Sequence, residues 1–217
     1  MLVESLKREL KQKLGTEMEG EVTLLLFTSE LASETCSDTR LMLRDVAELS
    51  DKINLRVQNF VLDKEEVERY RIDKIPAIAI LGEEDKDYGI RFYGLPGGYE
   101  FGSLVAAIIQ VSQGKTRFTE EAQQKLETID TPLHIQVFVT PTWPYCPRAV
   151  QLAHQAAILN SNITADSIEA NEYPTLANKY AVRGVPKTVI NDKIEFVGSL
   201  PELEFVQQLL AAVQPPA

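Results

Sequence analysis

The chain predicts an α/β fold of two tandem units, each a central mixed β-sheet (a parallel pair plus an antiparallel hairpin) with helices on both faces. Three observations carry this. Tyr70-x-x-x-x-Ile75-Pro76 recurs as Tyr180-x-x-x-x-Val185-Pro186, offset by 110 positions. The only two cysteines, Cys36 and Cys146, share that offset. Short apolar runs also alternate with amphipathic stretches in the same order in each half, as strands alternate with crossover helices. The 217 residues suffice for two domains of roughly 100 residues each, with expected bounds 1–115 and 116–217.

The elements follow in order. Leu2, Leu6, Leu10 and Leu14 recur every four residues and predict an amphipathic helix ending near Gly15. Val22 to Phe27 is a continuous apolar run, the pattern of a buried central strand. A polar loop leads to a helix over Cys36–Leu49, then to a strand over Ile53–Val61 with Leu55, Val57 and Phe60 inward. Lys64 to Tyr70 reads as a short charged helix. Ala77–Leu81 and Tyr88–Tyr93 form a hairpin, and Gly94 to Gly98 breaks the chain before a helix over Phe101–Gln113. Thr119 caps a connecting helix that reaches Ile129. The second half repeats the series: a strand over Leu133–Val139, a helix over Cys146–Leu159, a strand over Ile163–Glu169, a short helix over Tyr173–Tyr180, a hairpin around Asn191-Asp192, and a last helix over Glu202–Val213. The first two strands of each half require a crossover and are expected to be parallel. A β–α–β half followed by a hairpin and a helix is the thioredoxin-type arrangement.

Composition narrows the function. Apolar residues make up 44% and charged residues 25%, as in soluble globular proteins. No apolar run approaches the roughly 20 residues of a membrane span. The net charge of −10 disfavours nucleic-acid binding, which needs a basic footprint. The N-terminal residues are charged and helical in pattern rather than signal-like, so the cytoplasm is the default expectation. Two cysteines and two distant histidines offer no metal-ligand spacing, and no cofactor is expected.

Four stretches carry a resemblance: Tyr70-Arg71-Ile72-Asp73-Lys74-Ile75-Pro76, Asp87-Tyr88-Gly89-Ile90-Arg91-Phe92-Tyr93-Gly94-Leu95-Pro96, Val137-Phe138-Val139-Thr140-Pro141-Thr142, and Gly184-Val185-Pro186-Lys187. Over nearly its whole length the sequence resembles the protein disulfide oxidoreductases, or glutaredoxin-like proteins, with two tandem thioredoxin folds. The resemblance implies thiol–disulfide exchange on protein substrates, a role in redox homeostasis, and a thioredoxin-reductase-like partner. It also implies a Cys-x-x-Cys after the first strand of each unit. The first cysteine, at a helix N-terminus, attacks as a thiolate, and the second resolves the mixed disulfide. Pro76 and Pro186 match the family's cis-prolines, and with Ile75 and Val185 they mark the expected substrate-binding backbone.

Here the sequence departs from the pattern. The windows read Ser33-Glu34-Thr35-Cys36 and Trp143-Pro144-Tyr145-Cys146. Ser33 and Trp143 stand where the attacking cysteines belong, so dithiol cycling is predicted to be lost or strongly impaired. Cys36 and Cys146 occupy the resolving positions. Each reads either as an inert small hydrophobe or as a slow monothiol, with Cys36 the more accessible because Ser33 is small. A bond between them is not expected. Trp143 with Tyr145 reads either as an exposed anchor for a partner or as a plug over the vacated site. His154 shares a rough helix face with Cys146 but lies two turns away, so it reads as a packing or capping residue rather than one that tunes the thiol, and His134 shows no partner. The strands Val22–Phe27 and Leu133–Val139 carry none of the buried acids that thioredoxins often keep. The alternative to redox chemistry is a protein- or peptide-binding module, chaperone-like or scaffolding, using the surface around Pro76 and Pro186.

Overall fold

A computed structural model describes residues 2–29 and 34–214. The described chain runs α1 (Glu4–Glu17), β1 (Val22–Thr28), α2 (Glu34–Ala47), β2 (Ile53–Asn59), α3 (Lys64–Arg69), β3 (Ala77–Leu81), β4 (Asp87–Tyr93) and α4 (Tyr99–Gln113). It continues through α5 (Glu120–Glu127), β5 (Leu133–Val139), α6 (Cys146–Leu159), β6 (Ile163–Glu169), α7 (Pro174–Lys179), β7 (Lys187–Ile190), β8 (Ile194–Val197) and α8 (Glu202–Val213). Among these described residues, no helix is long and apolar enough to cross a membrane.

Local sequence accounts for several boundaries. The Thr119 hydroxyl accepts the Ala122 N–H at 3.4 Å and caps α5. Pro147 occupies the first turn of α6, where its missing N–H has no intrahelical partner to lose. Gly114 ends α4 in the left-handed region at φ 59°. Helix α1 runs through Gly15 to Glu17 rather than stopping at the glycine. Leu14 is buried beneath that turn, and packing outweighs the propensity cost of about 1 kcal/mol.

The strands form one sheet in the order β2-β1-β3-β4-β6-β5-β7-β8. Within each half the pattern is the same. β1 is parallel to β2 and antiparallel to β3, and β5 is parallel to β6 and antiparallel to β7. The hairpins β3–β4 and β7–β8 complete the two halves. The sequence predicts a sheet for each unit; the structure joins them through parallel pairing of Ile90–Tyr93 with Ala165–Ile168. Equivalent strands therefore have different surroundings. β4 and β6 lie inside, and Ile90, Phe92, Ala165 and Ile168 are buried. β2 and β8 are edges, which leaves Val57 38% and Val197 60% exposed. The inward placement predicted for Val57 is corrected on that account: an edge strand has only part of one face to bury.

One face of the sheet is thickly covered. Residues of α1, α2, α4, α5, α6 and α8 pack there on Leu24, Leu26, Ile78, Ile80, Phe92, Ile135 and Val137. The opposite face, with Leu25, Phe27, Ala79, Phe138 and Val189, is covered by the short α3 and α7 and the chain around them. Helices α4 and α6, one from each half, pack against each other across the junction. Gly98 sits at the start of α4 with φ 55°, and a Cβ there would lie 2.1 Å from the Pro141 carbonyl oxygen. The next N–H, that of Tyr99, donates to the same oxygen at 2.9 Å. The first half thereby grips the loop that follows β5.

That close approach separates two glycines of one helix. Gly98→Ala is expected to cost about 2–4 kcal/mol in denaturant unfolding, through backbone strain and steric displacement. Gly102→Ala, whose Cβ would meet nothing within 4 Å, is expected to stabilise by about 0.5–1 kcal/mol. Equal effects at the two sites would rule out the grip.

Candidate functional site

Cys146 opens α6, directly after the loop from β5. A helix N-terminus normally favours a thiolate. Here burial wins: the side chain is inaccessible, and desolvation pushes the thiol up to about 11 against a backbone hydrogen bond from Thr140. At neutral pH roughly one molecule in 10⁴ carries the thiolate. Trp143 and Tyr145 precede it in a turn, where the Cys146 N–H donates to the Trp143 carbonyl at 3.4 Å. Both rings point outward. Trp143 is 48% and Tyr145 65% exposed, with ring centroids 6.2 Å apart and tilted by 60°. The tryptophan is not folded into the space a thiol would occupy; it stands beside its neighbour as an apolar projection.

The peptide bonds Ile75–Pro76 and Val185–Pro186 are cis. β3 pairs Ala77 with Phe27, and β7 pairs Lys187 with Phe138, so each proline lies against the end of the strand that leads towards a cysteine helix. Ile75 and Val185 are half-buried beside them. The Pro186 carbonyl accepts the Gly198 N–H at 2.8 Å, and the Pro76 carbonyl accepts the Gly94 N–H at 2.9 Å. The Pro76 carbonyl has a second donor, the hydroxyl of Tyr173 at 3.1 Å. Tyr173 precedes α7 in the other half of the chain and lies within electrostatic range of Cys36.

Cys36 sits in the first turn of α2 and is 2% exposed. The greater accessibility predicted for it is not seen: it is buried, as Cys146 is. Ser33 lies outside the described residues. The two cysteines are not joined in a disulfide. Among the described residues, no three His, Cys, Asp or Glu side chains converge as metal ligands.

The acid that the two central strands lack is supplied from elsewhere. Glu100, in the first turn of α4, is 2% exposed; neither carboxylate oxygen makes a well-formed hydrogen bond among the described residues, and the nearby Ser103 hydroxyl only partly offsets its burial. Its charge would act on the Cys146 thiol, and desolvation raises its own pKa to about 7. The predicted helix begins one residue later, which leaves Glu100 in a loop and conceals the clue. Counted from Glu100, positions Leu104, Ile108 and Val111 place the acid on the buried face. Glu169 is a second buried carboxyl nearby, held by the N–H of Glu172 and the amide of Asn171, both at 2.7 Å. A small cavity touches Glu100, Ser167 and Glu169.

The histidines divide as follows. His154 is wholly buried, edge-on to Phe92 with centroids 4.9 Å apart, and desolvation lowers its pKa to about 3. It is a packing residue, as predicted. His134 does have a partner: its Nε2 lies 2.6 Å from Asp166 Oδ2. Asp166 is on β6, parallel to β5, so the pair is invisible in the linear sequence.

Comparison with known proteins agrees with this architecture. A family model described as a thioredoxin domain matches residues 133–211. A solved protein disulfide oxidoreductase from Aeropyrum pernix is 30% identical, with 98% of this chain and 94% of that one covered at a TM-score of 0.90. The NTD_N/C domain of the alkylhydroperoxide reductase AhpF from Enterococcus faecalis is 25% identical and covers 96% of this chain and all of that one, at a TM-score of 0.89. Among curated proteins, the F subunit of alkyl hydroperoxide reductase from Staphylococcus epidermidis is 30% identical over 78% of this chain. The chain spans about a third of the length of the curated relatives it matches.

Glu100 gives the fold a pH signature. Folded, it keeps its proton up to about pH 7; unfolded, it releases it near 4.5. Stability therefore falls as pH rises through this window, by about 3 kcal/mol in total. His154 contributes the opposite slope, since it is held neutral in the fold and stability is lost as pH drops below 6.5. Subtraction isolates the acid. Unfolding free energies of Glu100→Gln minus those of the parent chain are expected to rise by about 3 kcal/mol from pH 4.5 to 7.5, and a flat difference would show that Glu100 is not held protonated.

Proposed function

Because the chain belongs to the thioredoxin-fold family of protein disulfide oxidoreductases, we propose that it retains the family's two tandem units, 1–115 and 116–217, and their protein-binding surface without dithiol exchange. Its active surface is the second site, formed by the exposed Trp143 and Tyr145 ahead of Cys146 together with the cis Val185–Pro186 segment. The ligand is an extended stretch of polypeptide with apolar side chains, bound by the aromatic pair in place of a covalent mixed disulfide. One observation carries this reading: the Cys146 sulfur is buried beneath the loop while the residue in the attacking position is half exposed. A thiol held near pKa 11 is a poor nucleophile, whereas exposed tryptophan and tyrosine are the side chains that dominate binding hot spots. At the first site, Tyr173 covers the corresponding proline segment, so that site supports the fold more than it offers a surface.

Two measurements test this. The parent chain is expected to show no turnover in an insulin-reduction assay. Trp143→Cys rebuilds Cys-Pro-Tyr-Cys and is expected to raise turnover about tenfold or more above that background. Binding of the reduced, alkylated insulin B chain is expected to weaken about tenfold in Trp143→Ala, with folding unchanged. Turnover by the parent chain, or rapid labelling of Cys36 in the native state, would establish a monothiol enzyme and overturn the binding reading.

A further inference from the structure

A groove of about 630 Å³ crosses the thinly covered face of the sheet at the junction of the halves. It opens near the starts of β4, β5 and β6, at the far end of β5 from Cys146. Its size is that of a small-molecule site. Its floor is a polar row: Arg91, Asp166 and Gln136 lie in register across β4, β6 and β5. They are only 6%, 5% and 7% exposed, respectively.

Most of the charge around this row is matched internally. Arg91 holds Asp87 through two hydrogen bonds, at 2.9 and 2.6 Å, and also donates to the Tyr70 carbonyl. Asp166 is met by His134, and Asp73 by Lys74, whose ammonium lies 3.7 Å above the Tyr93 ring. Two groups remain. Arg71 lines the groove with no ion pair among the described residues, on an exposed position next to the buried Ile72. The Gln136 side-chain amide lines the floor and makes no hydrogen bond to the described residues, although the residue is only 7% exposed. The amide NH2 faces the groove as a free donor, and a guanidinium without an ion pair presents a fork suited to oxyanions. Arg69, Arg71, Lys74 and Arg91 face Asp73, Asp87 and Asp166 in the lining, so the groove is not acidic although the chain as a whole carries −10.

We infer that this groove is a binding site for a small oxyanion of the phosphate or carboxylate class, held by the Arg71 guanidinium and the Gln136 amide. It is separate from the aromatic surface at the second cysteine. The ligand spans the junction and touches strands of both halves.

Calorimetric titration at constant ionic strength, with inorganic phosphate and with citrate, tests the site on the whole chain. One or both anions are expected to saturate with a dissociation constant below about 10 mM, and the better of the two distinguishes a phosphorylated from a polycarboxylate ligand. Arg71→Gln and the near-isosteric Gln136→Leu are each expected to weaken binding at least about fivefold. Lys125→Gln, which changes an exposed charge outside the groove, should leave it unaltered. Thermal melts confirm that the variants are folded. The inference is overturned if neither anion saturates in that range, or if Arg71→Gln binds as Lys125→Gln does.

Discussion

Parallel pairing of β4 with β6 is the interaction on which the rest of the molecule depends. It converts two four-stranded halves into one sheet and brings α4 of the first half onto α6 of the second. Both cysteine sites are then built from both halves. The first half supplies Glu100 beneath Cys146 and holds the Pro141 carbonyl with the Tyr99 N–H. The second returns Tyr173 to the Pro76 carbonyl and Glu172 to the Leu95 N–H, at 2.7 Å. None of these contacts exists in an isolated unit.

This exchange explains why the two sites differ although their strands are arranged alike. At the second site the helix terminus and the desolvated interior act on the same sulfur in opposite senses. A terminus is worth about 0.3–1 kcal/mol at the surface, up to about 2 kcal/mol when partly buried. A thiol raised by about two pKa units shows that desolvation outweighs it. The Trp143 ring leaves the interior unfilled and projects with Tyr145 as an apolar ridge on the surface. At the first site Tyr173 of the other half is bonded to the Pro76 carbonyl, and the sulfur is buried there as well.

The repeated elements were legible because they depend on local pattern. Apolar runs marked β1, β3 and β5, the Ile-Pro and Val-Pro pairs marked the turns into β3 and β7, and the duplicated spacing marked the halves. What escaped depended on non-local pairing. Val57 and Ile168 occupy comparable apolar stretches, yet one lies on an edge and the other in the interior, and only the joining of the halves decides which. Glu100 was hidden by a helix boundary misplaced by two residues, since Tyr99 already belongs to α4. Tyr173 and the His134–Asp166 pair depend on strand neighbours distant in sequence. At the second cysteine, residue identity showed that a thiol was missing, but not whether the tryptophan turned inward or outward.

A continuous sheet also alters what the two halves can do independently. Excising either one would strip a full ladder of partners from β4 or β6 and uncover Ile90, Phe92 and Ala165. Such an edge is a template for association with other strands. The halves are thus joined in folding as well as in sequence: shared backbone pairing ties the fate of each to the other.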